Sequence, residues 1–207
     1  MQVVTLNPKD LDAHAERLAR AVEESVRNGF DAIVAIRRGG SIVCDAFLRH
    51  FPETLYSARF DVSLQRPSTK NKKETLRKIL QRLPYPLLDA MRKAEAHMFS
   101  LRKKFKGASY TVPVVEIPED LAAALTRNPL PEILVIDDAI DSGDTLYAIV
   151  HTLRKTNPEA RISIAVITET TDKPRIRAKH SLYRNRTLIR FPWSDDYKTP
   201  IKTRSGE

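Results

Sequence analysis

The sequence predicts an α/β protein in which a mostly parallel sheet is flanked by helices. Two segments share one order of elements: a short apolar run, a turn that contains glycine, and an amphipathic helix. The apolar runs of these two units lie at residues 31–36 and 133–136, and a third run at residues 161–168 follows the second helix. Strands that alternate with helices pair in parallel, and ligands bind at the carboxyl ends of such strands. Candidate functional residues are therefore expected where these strands end.

The first 62 residues supply a helix, two strands and the first turn. Apolar residues recur every three to four positions between residues 11 and 26, which predicts a helix that ends at Asn28-Gly29. The strand at residues 31–36 leads into Arg37-Arg38-Gly39-Gly40 and a second helical stretch. Residues 54–62 contain the β-branched and aromatic side chains that are typical of another strand.

Nearly fifty residues separate that strand from the next predicted strand, at residues 110–117, where Pro113 indicates an edge position. Two apolar stripes at helical spacing lie on either side of Pro84-Tyr85-Pro86, so we predict an inserted helical hairpin over residues 66–108. Residues 66–106 hold 13 Lys and Arg against 3 Asp and Glu. We expect a basic outer face, which includes Arg92, to dock nucleic acid or a protein partner outside the catalytic core.

The second unit carries the strongest chemical signal. Asp137 and Asp138 follow the apolar run, and residues 141–145 (DSGDT) form a turn into a helix. A helix start with a nearby glycine and hydroxyl groups suits a phosphate, and two adjacent carboxylates suit ribose hydroxyls or a hydrated Mg²⁺. An acid pair alone is more often a solvated helix cap. The succession of strand, acid pair, glycine turn and helix favours a sugar-phosphate site.

The run VIDDAIDSGDT resembles the phosphoribosyl pyrophosphate (PRPP) binding motif of the type I phosphoribosyltransferases. The resemblance implies a type I phosphoribosyltransferase-like sheet with a C-terminal hood. It also implies transfer of the 5-phosphoribosyl group of PRPP to a nucleobase, with Mg²⁺ as cofactor and release of pyrophosphate. Asp137 and Asp138 would hold the metal. The residues that it assigns to PRPP are Arg38, Gly39, Gly40, Asp137, Asp138, Asp141, Ser142, Gly143, Asp144 and Thr145.

Some residues refine the resemblance. An aspartate at the place of Asp141 is similar to the 6-oxopurine branch of the family, which implies a catalytic role in proton handling at the purine N7 and favours a purine base. Ser142 stands where threonine is usual, and Asp144 adds a negative charge beside the expected 5′-phosphate. The Arg38-Gly39-Gly40 turn resembles the family's pyrophosphate loop, which implies that the Arg37–Arg38 peptide bond is strained or cis.

The C-terminal region, about residues 171–207, is predicted to form the hood. Residues 187–193 (TLIRFPW) resemble the hood strand of xanthine/guanine-type members, so Phe191 and Trp193 are candidates for stacking on the base, with packing within the hood as the alternative for Trp193. The position that often reads the purine 6-oxygen falls near Glu169. Lys173 takes that role instead if a small insertion intervenes.

Composition limits the remaining function classes. A chain of 207 residues that is 42% hydrophobic builds one core, so we predict a single domain over residues 1–207. The lone cysteine, Cys44, excludes an internal disulfide, and the start of the chain lacks the pattern of a signal peptide. We expect a cytoplasmic homo-oligomer with no membrane span. A non-catalytic protein that senses PRPP or a nucleotide stays an alternative, whereas no P-loop motif follows any predicted strand.

Overall fold

The computed structural model describes residues 1–64, 80–105, 115–184 and 187–198. In chain order the elements are β1 Gln2–Thr5, α1 Pro8–Glu23, β2 Ala32–Ile36, α2 Gly39–Leu48, a 3-10 helix Glu53–Leu55, β3 Arg59–Leu64, α3 Tyr85–Phe105, β4 Val115–Glu116, α4 Glu119–Arg127, β5 Glu132–Ile140, α5 Asp144–Thr156, β6 Arg161–Glu169, β7 His180–Tyr183 and β8 Thr187–Arg190. None of the helices in these ranges is long and apolar enough to cross a membrane.

The described part contains a six-stranded sheet in the order β4-β3-β2-β5-β6-β7. All neighbouring strands are parallel except β3 and β4, which pair antiparallel at one edge. This topology confirms the predicted α/β fold class. The strands β2 and β5 lie side by side at the centre, so the turns that follow them meet at one edge of the sheet.

Apolar residues of the central strands pack on both faces of the sheet. In β2, Ile33 and Ala35 belong to one hydrophobic cluster, which also holds α1 and α2 residues such as Leu18 and Phe47. The intervening residues Ala32, Val34 and Ile36 belong to a second cluster, with α4 and α5 residues such as Leu121 and Leu153. Burial on both faces explains why β2 appears in the sequence as a continuous apolar run.

The acid pair lies inside a strand and not after it, which corrects the prediction that the strand ends with the apolar run at residue 136. The strand β5 continues to Ile140 because Asp137, Ala139 and Ile140 pair with Val166, Thr168 and Glu169 of β6. The prediction failed because it used the end of the apolar pattern to place the end of the strand, whereas the backbone stays extended through the polar residues. The two carboxylates are therefore held by a hydrogen-bonded ladder.

The hood strand pairs with the first strand of the chain. This hood strand, β8, was predicted and pairs in parallel with β1, which was not. The amide of Leu6 extends this pairing by donating to the carbonyl oxygen of Arg190 at 3.0 Å. The short strand β7 was also not predicted, although it forms the last strand of the main sheet.

The predicted second arm of the hairpin is present as one long helix, α3. The hairpin's first arm lies almost entirely outside the described residues, as do residues 110–114 of the predicted strand before β4. Arg92 was expected on the basic outer face. It instead pairs with the buried Asp196 of the hood, with Arg92 Nε and Asp196 Oδ2 2.7 Å apart. The helix α3 is thus packed onto the hood.

Candidate active site

The acid pair in β5 is the centre of the site. Asp137 is 9% exposed, and its Oδ1 accepts a hydrogen bond from the amide of Asp138 at 2.9 Å. Asp138 is half-buried, and its Oδ2 accepts a hydrogen bond from Trp193 Nε1 at 2.9 Å. No Lys or Arg within the described ranges forms an ion pair with either carboxylate. In the described ranges the two acidic side chains therefore lie next to each other without a basic ion-pair partner.

Burial decides the ionisation of these two groups. It raises the pKa of Asp137 well above its usual range, and the neighbouring charge of Asp138 adds to this shift. Burial also raises the pKa of Asp138, although the hydrogen bond from Trp193 acts in the opposite direction. A cation between the carboxylates would relieve both effects. No group of three or more His, Cys, Asp or Glu that could hold a metal ion exists in the described part. Two adjacent carboxylates are compatible with Mg²⁺, which binds through one or two carboxylates and keeps waters or phosphate oxygens as its other ligands.

The raised pKa predicts that Asp137→Asn stabilises the ligand-free protein at neutral pH. The unfolded aspartate titrates near pH 3.9, so the wild-type protein loses stability as the pH rises from about 4 through the higher folded pKa. The advantage of the asparagine variant is therefore absent below about pH 4 and grows above it. Each kcal/mol by which the substitution increases the free energy of unfolding raises Tm by about 2–4 °C in a domain of this size. Scanning calorimetry in the presence of a chelator measures the difference, and equal Tm values at neutral pH would contradict the prediction.

The turn after β2 packs directly against the acid pair. The Arg37–Arg38 peptide bond is cis, as the resemblance implied. A Cβ atom on Gly39 would lie 1.9 Å from Asp138 Oδ2, and one on Gly40 would lie 2.7 Å from the carbonyl oxygen of Ile136. Only glycine fits at these contacts. The structure therefore brings the Arg38-Gly39-Gly40 turn and the acid pair together.

The turn at residues 141–145 leads into α5 with a geometry that suits an anion. Gly143 has a φ of +79°, and a Cβ atom there would lie 3.0 Å from the backbone nitrogens of Arg175 and Ile176. The N-cap residue of α5 is Gly143, which makes no side-chain capping hydrogen bond. Ser142 Oγ accepts a hydrogen bond from the amide of Asp144 at 3.1 Å. Helix starts of this kind bind phosphate groups.

The negative charge of Asp144 has a basic neighbour that the sequence did not reveal. Arg175 Nη1 lies 3.8 Å from Asp144 Oδ1, and the guanidinium carbon lies 3.7 Å from the centroid of the Tyr147 ring. The amide of Arg175 also donates to the carbonyl oxygen of Ser142 at 2.8 Å. The segment around Arg175 therefore supports the turn and offsets part of its charge.

Asp141 is exposed at the same edge and is held by a second residue that sequence reasoning missed. Thr170 Oγ1 donates a hydrogen bond to Asp141 Oδ1 at 2.6 Å, and the amide of Thr170 donates to the carbonyl oxygen of Ile140 at 2.9 Å. The only sequence signal for Thr170 is its position two residues after the predicted strand at residues 161–168.

A cavity of about 1260 Å³ lies over these groups. Its walls include Asp137, most of the 141–145 turn, residues 170–172 after β6, and residues 194–196 of the hood. Residues of α3 also line the cavity, with Leu88 and Glu95 among them. The insertion was expected to lie outside the catalytic core, but α3 borders the same cavity as Asp137.

The four candidates for base recognition do not line this cavity. Glu169 is 1% exposed, and its carboxylate accepts hydrogen bonds from the amide of Ala178 at 2.9 Å and from Arg177 Nη1 at 3.1 Å. Lys173 lies exposed in the loop after β6. The rings of Phe191 and Trp193 stack on each other, with centroids 4.8 Å apart and an interplanar angle of 9°. The structure thus supports the alternative prediction for Trp193, packing within the hood.

Comparisons with known proteins agree with this architecture. A family model described as "Phosphoribosyl transferase domain" matches residues 6–197. None of the curated proteins compared with the chain matches it.

Three solved structures illustrate the shared fold. A purine phosphoribosyltransferase from Pyrococcus horikoshii Ot3 is 18% identical, with a TM-score of 0.55 and 97% of each chain covered. The xanthine-guanine-hypoxanthine phosphoribosyltransferase of Helicobacter pylori is 15% identical, with a TM-score of 0.54 over 93% of this chain and 90% of that one. A hypothetical protein from Neisseria gonorrhoeae with bound ppGpp is 18% identical, with a TM-score of 0.53 over 93% and 89%. At these identities the similarity shows the fold.

Proposed function

The chain belongs to the phosphoribosyl transferase domain family, and on that premise we propose that it transfers the 5-phosphoribosyl group of PRPP to a purine base and releases pyrophosphate. The observation that carries this proposal is the meeting of three groups at one sheet edge: the acid pair, the glycine turn after β2 and the turn into α5. A sugar that bears a phosphate at one end and a diphosphate at the other requires such a set.

Each group has a distinct role in the proposal. The amides and hydroxyl groups of residues 141–145 bind the 5′-phosphate, and Arg38 with the amides of Gly39 and Gly40 binds the pyrophosphate. Asp137 and Asp138 bind the ribose hydroxyls and would hold Mg²⁺ through its waters. Bound Mg²⁺ would offset the charge of the departing pyrophosphate. Positive charge develops on the sugar ring as the C1–O bond loosens, and the nearby carboxylates stabilise it.

A purine is favoured as the acceptor because Asp141 is exposed beside the cavity, at the place where 6-oxopurine members have an aspartate. Two of the similar structures are named as purine or xanthine-guanine-hypoxanthine phosphoribosyltransferases, which agrees with this choice. Since Glu169 is buried and hydrogen-bonded, residues 170–172 and α3 are better placed to contact the base.

Pyrophosphate release tests the proposed function directly. The protein is incubated with Mg²⁺, PRPP and a panel of purine and pyrimidine bases, and pyrophosphate is assayed with and without a chelator. We expect base-dependent and Mg²⁺-dependent release with at least one purine. PRPP binding without release for any base would support the nucleotide-sensing alternative and contradict the transferase.

Asp141 is expected to control turnover more than PRPP affinity. Asp141→Asn removes the proton acceptor but keeps the shape of the side chain, so kcat is expected to fall about 100-fold. Thr170→Val, which removes the hydrogen bond to Asp141, is expected to lower kcat less and in the same direction. Steady-state kinetics with PRPP as the varied substrate separate the parameters. A large rise in the PRPP Michaelis constant with unchanged kcat would contradict this role.

A further inference from the structure

Trp193 of the hood directly contacts the acid pair. Its Nε1 donates a 2.9 Å hydrogen bond to Asp138 Oδ2. Gly39 lies beside this hydrogen bond, because a Cβ atom there would lie 1.9 Å from Asp138 Oδ2 and 2.9 Å from Trp193 Nε1. The indole N–H and the Gly39 backbone therefore both pack against the same carboxylate oxygen, which restricts its position.

The indole ring is itself held by its neighbours in the hood. Phe191 is buried and stacks on it. The turn between them is closed by two hydrogen bonds: the amide of Phe191 donates to Ser194 Oγ at 3.1 Å, and the amide of Ser194 donates to the carbonyl oxygen of Phe191 at 2.9 Å. Movement of this turn would move the indole N–H away from Asp138.

The same turn is anchored to the insertion helix by a buried ionic cluster. Asp196 is 5% exposed and accepts hydrogen bonds from Arg92 Nε at 2.7 Å, Arg92 Nη2 at 2.5 Å and Arg190 Nε at 2.9 Å. Arg190 also donates to Asp89 Oδ1 of α3 at 2.7 Å. Arg92 Nη1 donates to the carbonyl oxygen of Ile189 in β8 at 2.9 Å. These contacts join α3 to both sides of the residue 191–194 turn.

We propose, on the basis of the proposed PRPP site, that Trp193 is a positioning residue for the Asp138 carboxylate and that α3 holds Trp193 in place through the Arg92–Asp196–Arg190 cluster. The insertion then acts on the ribose and metal site through the hood. Part of the basic insertion, the helix α3, thereby serves as a structural support for the Asp138 carboxylate.

Trp193 is the only tryptophan in the chain, so its fluorescence reports this contact without an activity assay. In the wild-type protein, addition of Mg²⁺ and PRPP is expected to change the emission, because the ligand engages the carboxylate that accepts the indole hydrogen bond. Arg92→Gln is expected to alter the emission of the ligand-free protein. Arg20→Gln is the matched control, since it removes the same charge from an exposed ion pair on α1. Equal emission in Arg92→Gln and wild type would overturn the link between α3 and Trp193.

Binding measurements test the positioning role. Trp193→Phe keeps an aromatic ring for Phe191 but removes the N–H, so calorimetry in Mg²⁺ is expected to give about tenfold weaker PRPP binding, at the lower end of what a hydrogen bond to a charged group contributes. Arg92→Gln is expected to weaken binding as well. The fold-loss of PRPP affinity in the double variant is expected to be clearly smaller than the product of the two single fold-losses, because both substitutions act through the same contact.

The outcomes separate this proposal from the proposed function. If Trp193→Phe binds PRPP as tightly as wild type, the positioning role is wrong even though the site stands. If the losses multiply, Arg92 acts on the cavity directly and the route through Trp193 is wrong. If wild-type protein fails to bind PRPP, the proposed function is wrong, while the emission of ligand-free Arg92→Gln still decides whether α3 holds Trp193.

Discussion

Asp138→Ala is expected to weaken Mg²⁺-dependent PRPP binding by about 100-fold or more, within the range measured when one partner of a buried charged contact is removed. The variant loses the carboxylate that would contact the ribose hydroxyls and the metal's waters, and it also removes the acceptor for Trp193 Nε1. The other members of the site keep their backbone positions, because β5 is held by its ladder to β2 and β6.

Isothermal titration calorimetry with PRPP, at saturating Mg²⁺ and with a chelator, measures this effect. Asp120→Ala provides a control, since Asp120 carries the same charge on the exposed side of α4. The control is expected to bind as wild type does. Equal PRPP affinity in Asp138→Ala and wild type would remove the assignment of the acid pair to PRPP and, with it, the main support for the proposed function.

Asp196→Ala is expected to cause the largest loss of stability. It would leave Arg190, which is 1% exposed, without one of its two carboxylate partners, and it would leave Arg92 without its ion pair. Breaking a buried ion pair from one side costs about 3–5 kcal/mol, which corresponds to a fall in Tm of about 10 °C in a domain of this size. Asp195→Ala is the matched control, because Asp195 is the adjacent residue and its own carboxylate is exposed.

The effect of Asp196 should depend on pH. Burial alone would raise the pKa of Asp196, but the hydrogen bonds and charges of Arg92 and Arg190 outweigh it and hold the pKa below its usual value. The stabilisation is therefore present above the unfolded pKa, near 3.9, and is lost as the pH falls through the lower folded pKa. Thermal unfolding at neutral and at acidic pH measures this. A difference between wild type and Asp196→Ala that is as large in acid as at neutral pH would contradict the ionic origin of the stability.

The position of α3 changes the interpretation of the basic insertion. Charge counting treated its Lys and Arg residues as one docking face, yet Arg92 is used inside the protein. The proposal that the insertion docks nucleic acid or a protein partner now rests on the remaining basic residues, many of which fall on residues that the structure does not describe. A neutralising substitution at Arg92 would therefore report on hood packing rather than on binding of a polyanion.

Features that depend on residues adjacent along the chain were predictable from the sequence. Apolar runs identified β2, β5 and β6 because strands buried on both faces must be apolar, and the glycines of the two turns marked backbone that no side chain fits. The acid pair and the 141–145 turn were identified by their order along the chain. A resemblance that rests on the same short run placed the chain in its family, which the match over residues 6–197 confirms.

The contacts between side chains that are distant in the sequence became known from the folded structure. Trp193, for which the sequence left base stacking and packing within the hood open, stacks on Phe191 and donates a hydrogen bond to Asp138. Glu169 accepts hydrogen bonds from Arg177 and Ala178, and Thr170 donates one to Asp141. The pairing of β1 with β8 and of Arg92 with Asp196 joins segments that are about a hundred or more residues apart. Local patterns contain no information on such contacts, because a polar or aromatic side chain has the same local preferences whichever partner it finds. The partner is chosen by the packing of whole elements, which buries each charge only where an opposite charge or a donor is already in place.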